Sequence, residues 1–490
     1  MTKPDVFYSL QFMRGDDTDD TTGFQAMLAA VRANGGGHIV MQKPRARYRF
    51  VSTGQGYPGQ DFPSNTEMYG EPGTEVYWTG APKQDDFAMK ARSQDHGWLE
   101  IAHGSSNILI RDLVVRSDNT PFTSYFNNQS SGIYVNVATP ASHDVMIRDC
   151  GFLNHVGFPV HAPGGGNRVH TIRNVYRNCA NGENNNGDYS VHFRNRFINS
   201  EGLEASGAFN IFALNDFSQS FTKGAIMSLG GDISSGTRRI GSLAVGNSIK
   251  NAPGLGILTA DAFASGWLQG NLIEGAGNSA IQIGGATRAL CDHNAVVDNI
   301  CTSAKYGINV FSTLATDTLV AANSCTDDFV GFLCSSARAT VIGNTFSGTF
   351  KDVAFNVADG ALFTRNSYSG ARFEVRGSAA FSRAASPAGV EIAFLGRIDQ
   401  GMVTIQIRNW SSLSSVALDF DGILQVGEQF ALYHPYHVLD APIMKATYTG
   451  KRIDLPIRRI AAPPDWPVST SRSIPELGTT FAAFILTAQR

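Results

Sequence analysis

The chain has 490 residues with a formal net charge of -3; 51 residues are glycine and only 17% are charged. That balance supplies no basic face for a phosphate backbone, so nucleic acid is excluded as the expected partner. No apolar run is long enough to cross a bilayer as a helix, and no membrane partner is expected.

From Met1 to Met13 there is one early lysine and then Asp5, without the apolar core and small-residue cleavage site of a secretion signal. The expectation is an extracellular or virion-associated protein that either leaves the cell by another route, as a virion part does, or has had its signal removed. Asp20 or Thr21 is then placed to N-cap a helix whose Phe24, Met27, Leu28 and Val31 form one apolar face, ended by Gly35. Such a helix would cover an open strand edge at the start of a stack.

From residue 105 onward the sequence repeats itself. An Asn or Asp recurs at Asp112, Asp149, Asn174, Asn195, Asn215, Asn247, Asn271, Asn294, Asn323, Asn344 and Asn366. An apolar residue follows two positions later in every case but Gly151. Steps of roughly 20 to 25 residues suit a solenoid coil of three short strands and three turns. Asn side chains stacked on successive coils, about 4.8 Å apart, can bond one another as a ladder. The fold class expected is therefore all-β: a single-stranded, right-handed parallel β-helix with an N-terminal capping helix.

A second strand opens later in each coil, as in Gly202-Leu203-Glu204-Ala205-Ser206 and Ser279-Ala280-Ile281-Gln282-Ile283. Period-two alternation turns Glu204, Gln282 and Asn309 outward along one row. The steps 112 to 149, 215 to 247 and 294 to 323 are long, and insertions of this kind are expected to wall a groove over that sheet. The six cysteines show no metal-like spacing and read as buried free thiols. After Tyr368 the ladder stops. Residues 1–50 read as the N-terminal strand and capping helix, 51–377 as the coil, 378–389 as a linker, and 390–490 as a small β-sandwich-like domain.

The opening Gly15-Asp16-Asp17-Thr18-Asp19-Asp20-Thr21, followed by the helical run and Gly35-Gly36-Gly37, resembles the start of the pectate-lyase-like β-helix superfamily. Polygalacturonase-related hydrolases, inulin fructotransferases and phage tailspikes belong to that group. The resemblance implies the coil and a polysaccharide or oligosaccharide partner. The Asn-Thr-Asp and Arg-Ile-Lys signatures of polygalacturonases and the Asp-Pro-His-Asp of alginate epimerases are absent.

Cleaving a glycosidic bond without a cofactor needs two carboxyl groups, one protonated and one ionised. Glu204 is the first candidate, and its Gly202–Gly207 setting is similar to the strand bearing a catalytic acid in inulin fructotransferases. Asp261 and Asp232 are the candidate partners; each also has a plain reading as a turn or surface residue. His161, Glu183, Lys223, Gln282 and Asn309 are the candidate substrate-binding residues, with no metal and no cofactor. Glu183 and Asp188 also suggest an oxygen-lined calcium loop, and His192 a second acid or base. A polysaccharide lyase, using Lys223, Arg238 and Arg239, and a non-catalytic tailspike or surface polysaccharide-binding protein are the alternatives. Flat sheets able to pack about a threefold axis suggest a homotrimer.

Overall fold

The computed structural model describes residues 5–51, 60–79, 97–117, 131–135, 140–155, 157–163, 166–218, 220, 224–230, 239–260, 262–285, 290–357, 359–368, 372–375, 388–458, 460 and 480–488. They fall into two units, 1–207 with 216–227, and 208–215 with 228–490.

The first unit is coiled. Strands Gly37–Met41, Thr66–Gly70, Ile108–Arg111, Val145–Arg148 and Val169–Ile172 pair in parallel, one per coil. Two further strands complete a coil, as Gly151–Leu153 and Val160–Ala162 do. The right-handed parallel β-helix expected from the repeat is the fold found. Helix Thr21–Ala33 buries Phe24, Met27, Leu28 and Val31. Phe24 meets Phe50 at 5.1 Å and Trp98 at 5.9 Å between ring centroids, so the helix closes over the first coils. Asp20 holds the N-cap position, yet its carboxylate turns back to accept the Arg14 amide at 2.7 Å. The carboxylate that accepts the Thr21 amide, at 3.0 Å, is that of Asp19.

Inside this unit Phe152, Tyr176, Phe197 and Phe217 stack with centroids 5.3, 4.5 and 4.6 Å apart. Beside them runs the polar ladder: the Asn174 amide donates to Asn195 Oδ1 at 2.9 Å, and Asn174 Nδ2 donates to the Ile147 carbonyl at 2.9 Å.

The second unit carries the same ladder through Asn215, Asn247, Asn271, Asn299, Asn323, Asn344 and Asn366. This corrects the sequence series at three places. Asn299, not Asn294, is the ladder residue; Asn294 accepts from the Gly266 amide in another turn. The long step thereby moves one coil earlier, to the 28 residues from Asn271 to Asn299, and 24 residues separate Asn299 from Asn323. Asp112 and Asp149 stand one residue too early, at left-handed positions with φ of 58° and 56°. Cys150 occupies the ladder position after Asp149, and its +2 residue is Phe152, so the apparent break at Gly151 disappears. Residues 118–130 and 231–238, in the other two long steps, lie outside the described residues.

Asn271→Leu tests the ladder. It strips the acceptor from the Asn247 amide and the donor from the Ala244 carbonyl. Each buried group left without a partner costs roughly 1–3 kcal/mol, so the melting midpoint is expected to fall by several degrees in a thermal scan.

After its coils the second unit's chain forms a five-stranded antiparallel sheet, Val390–Arg397, Met402–Asn409, Phe481–Ala488, Gln429–Tyr433 and Met444–Thr447. Ile405, Ile407, Phe420, Phe430 and Phe484 fill its own core. Its opposite face meets this unit's coils: Gln406 Nε2 donates to the Ser265 carbonyl at 2.8 Å, and Thr404 Oγ1 to that of Gly241 at 3.2 Å. Of the expected linker, only Ala388 and Gly389 are among the described residues.

Candidate functional site

In the first unit Asp61, Glu100, Tyr134, His161, Asn184 and Glu204 are in register on successive parallel strands. Their neighbours Leu99, Ile133, Val160 and Leu203 are buried in the coil interior. Strand alternation therefore turns the six side chains outward as one row. Glu204 is exposed and accepts a 3.1 Å hydrogen bond from Asn184 Nδ2. Glu100, Tyr134, His161 and Asn184 are only 8%, 6%, 3% and 8% exposed.

His161 is outward by register, as expected, but it is covered. The Phe158 ring lies 4.9 Å away and the Tyr134 ring meets it edge-on at 5.7 Å. Burial pulls its imidazole down to about 4, so at neutral pH it is uncharged.

Glu183 and His192 are corrected. Glu183 is the register partner of Val160 and Leu203 and points into the coil with no exposure. His192 Nδ1 lies 2.7 Å from Glu183 Oε1. Thr171 Oγ1 donates to the carboxylate at 2.9 Å, and the Tyr176 hydroxyl at 3.2 Å. This is a buried internal pair, not a sugar contact or a calcium loop; one step of strand parity separates it from Asn184, which does face out. Burial, with Glu183 beside it, holds the Tyr176 phenol well above its usual range.

Asp232, Asp261, Lys223 and Arg238 lie outside the described residues. Gln282 and Asn309 belong to the second unit, where they are register partners on an outward row. Their side chains engage the sheet itself: Gln282 Nε2 donates to the Gly284 carbonyl at 3.1 Å, and Asn309 Nδ2 to Ser279 Oγ at 3.3 Å.

Sequence reasoning missed Asp61, Glu100, Tyr134 and Asn184, because two of their coils carry insertions that hide the period. It also missed a groove of about 1020 Å³ on the outer face of the first unit's other sheet, bordered by His38, Glu67, Leu109, Asp144, Met146 and His170. There the carboxylates are already engaged. Glu67 bonds His38 at 2.9 Å and Arg111 at 2.8 Å. Arg168, with His143, holds the Asp144 carboxyl down at about 2. Groups so neutralised are poor proton carriers, which leaves Glu204 the better chemical candidate.

Spacing limits what the row can do. Glu100 and Glu204 are separated by four coil steps, about 19 Å, whereas a glycosidase pair stands about 5–9.5 Å apart. They do not act on one bond. Between them stand neutral hydrogen-bonding groups and a ring, which suit an extended hydroxyl-rich chain.

No family model matches the chain, and no curated protein matches it. Among solved structures, the Azotobacter vinelandii mannuronan C-5 epimerase AlgE4 A-module shares 16% identity over 78% of this chain and 100% of its own, with a TM-score of 0.48. A tailspike of E. coli bacteriophage HK620, in complex with a pentasaccharide, shares 13% over 98% and 91%, with a TM-score of 0.43. PfbA, a surface adhesin of Streptococcus pneumoniae, shares 9% over 79% and 96%, with a TM-score of 0.41. At such identities and scores none of these bears on this chain's chemistry.

Proposed function

We propose that the chain binds a polysaccharide along the Glu100–Glu204 row and cleaves or transfers its glycosidic bonds, with Glu204 as one of the two carboxyl groups. The observation that carries this reading is the in-register row of polar and aromatic side chains ending on an exposed carboxylate held by Asn184. Tyr134 and His161, largely covered, form the floor on which the polymer lies, and Asn184 orients Glu204, which supplies or takes the proton. Asp232 and Asp261, the sequence's candidates for the second carboxyl group, lie outside the described residues. The same reading has the chain acting as a homotrimer on polysaccharide outside the cell, and light scattering at three times the chain mass checks the assembly.

The test is release of reducing ends from plant, fructan and bacterial capsular polysaccharides, with absorbance near 235 nm read in parallel. New ends without absorbance, reduced at least about 100-fold by Glu204→Gln, support the carboxylate mechanism. Ultraviolet-absorbing product moves the assignment to a lyase. Binding without cleavage leaves a polysaccharide-binding protein, a reading favoured by the lack of a second carboxylate beside Glu204 on the row among the described residues.

A further inference from the structure

On the second unit, Phe329 and Phe350 occupy successive coils with parallel rings 4.8 Å apart, yet they are 47% and 42% exposed. The spacing is that of the coils themselves, so the pair forms a flat apolar wall on the outside of the sheet. Apolar area of this kind left in water is a binding feature when polar groups rim it. Here they do. Lys351 Nζ lies 5.0 Å and the Arg372 guanidinium 5.6 Å from the Phe350 centroid, and Lys305 Nζ lies 5.4 Å from that of Tyr306. Lys351 is ion-paired with Glu374. Among the described residues, neither Lys305 nor Arg372 stands against a carboxylate.

Beside the wall is a pocket of about 220 Å³, with Leu333 and Ala354 from the outward row at its base and Asn356 and Glu374 at its edge. We propose that this pocket is a saccharide subsite for an acidic sugar, the ring packed on Phe329 and Phe350 and its carboxylate held by Lys305 or Arg372. The apolar C–H face of a pyranose matches the aromatic wall, its hydroxyls match Asn356 and Glu374, and its charge matches Lys305 and Arg372, which flank the lining rings Tyr306 and Phe350 and meet no carboxylate among the described residues. An aromatic wall with cations also suits single-stranded nucleic acid. Glu374 and the exposed Asp327 oppose a dense run of phosphates, whereas one carboxylate set among hydroxyls fits between them.

This inference rests on the polysaccharide reading for the kind of polymer, but its site is separate from the Glu204 row and is tested separately. The full chain is run in native gels containing polygalacturonate, dextran or a single-stranded oligodeoxynucleotide. Retardation by polygalacturonate is expected, weakened at least tenfold by Phe329→Ala/Phe350→Ala and several-fold by Arg372→Ala, with melting curves unchanged and with the exposed Leu413→Ala binding like the native chain. Polygalacturonate binding that survives both sets of substitutions overturns the subsite, as does oligodeoxynucleotide binding lost in the same variants. Retardation by dextran alone overturns the subsite and leaves the polysaccharide reading standing; no retardation by either polysaccharide counts against both.

Discussion

Asp328→Asn is expected to leave stability below pH 4 nearly unchanged and to raise it increasingly as pH climbs toward 9. Asp328 has no exposure; its Oδ1 accepts the Ala304 amide at 2.8 Å, and its Oδ2 is buried without a partner. Burial is the main cause that lifts the carboxyl to about 8, with Asp327 adding to it and the Ala304 amide working against it. The folded state thus holds its proton far above the value near 3.9 of an unfolded chain. A pKa raised on folding gives stability that is complete below the unfolded value and is lost as pH rises through the folded one. The native chain therefore loses stability at this site between about pH 4 and pH 8, by up to roughly 5–6 kcal/mol. Asparagine keeps the oxygen that accepts from Ala304 and cannot ionise. Chemical denaturation at several pH values checks it: a native-minus-variant difference that stays flat from pH 4 to 9 rejects the buried-acid account.

The second large effect concerns Glu183. Glu183→Ala leaves the His192 imidazole and the Thr171 and Tyr176 hydroxyls without the carboxylate that joins them in the buried interior. Breaking a buried pair on one side costs about 3–5 kcal/mol, while replacing both partners by apolar residues of similar volume is often near neutral. Glu183→Leu combined with His192→Phe is therefore expected to recover much of what Glu183→Ala loses, measured by urea unfolding. Because the pair is internal, Glu183→Gln, if folded, is expected to keep its activity per folded molecule. A selective loss of substrate affinity with unchanged stability would contradict the placement.

The architecture was legible in the sequence wherever Asn itself marks the ladder. From Asn174 to Asn271 and again from Asn323 to Asn366 the series matches the structure residue for residue. It slipped where the neighbouring left-handed turn position carries the more conspicuous residue. That position accepts Asp112 and Asp149, but also Arg173, Leu214 and Ala322, so it has no residue signature of its own. The capping helix was readable because its four apolar residues follow one helical period.

The site was less legible, because outward and inward differ by one residue on strands only three residues long. Glu204 lies between Leu203 and Ala205, and its parity is plain. In Glu183–Asn185 every residue is polar, so nothing in composition tells that Glu183 and Asn185 turn in while Asn184 turns out. Glu100 and Tyr134 sit on strands flanked by long insertions, where the repeat cannot be counted.

The most direct test of the central claim is the crystal structure of Glu204→Gln soaked with an oligosaccharide the native chain cleaves or binds. The account predicts a saccharide lying along Tyr134, His161 and Asn184, with a glycosidic oxygen within hydrogen-bond distance of the residue 204 side chain. A saccharide seated instead in the His38–Asp144–His170 groove, with the Glu204 row empty, would contradict it.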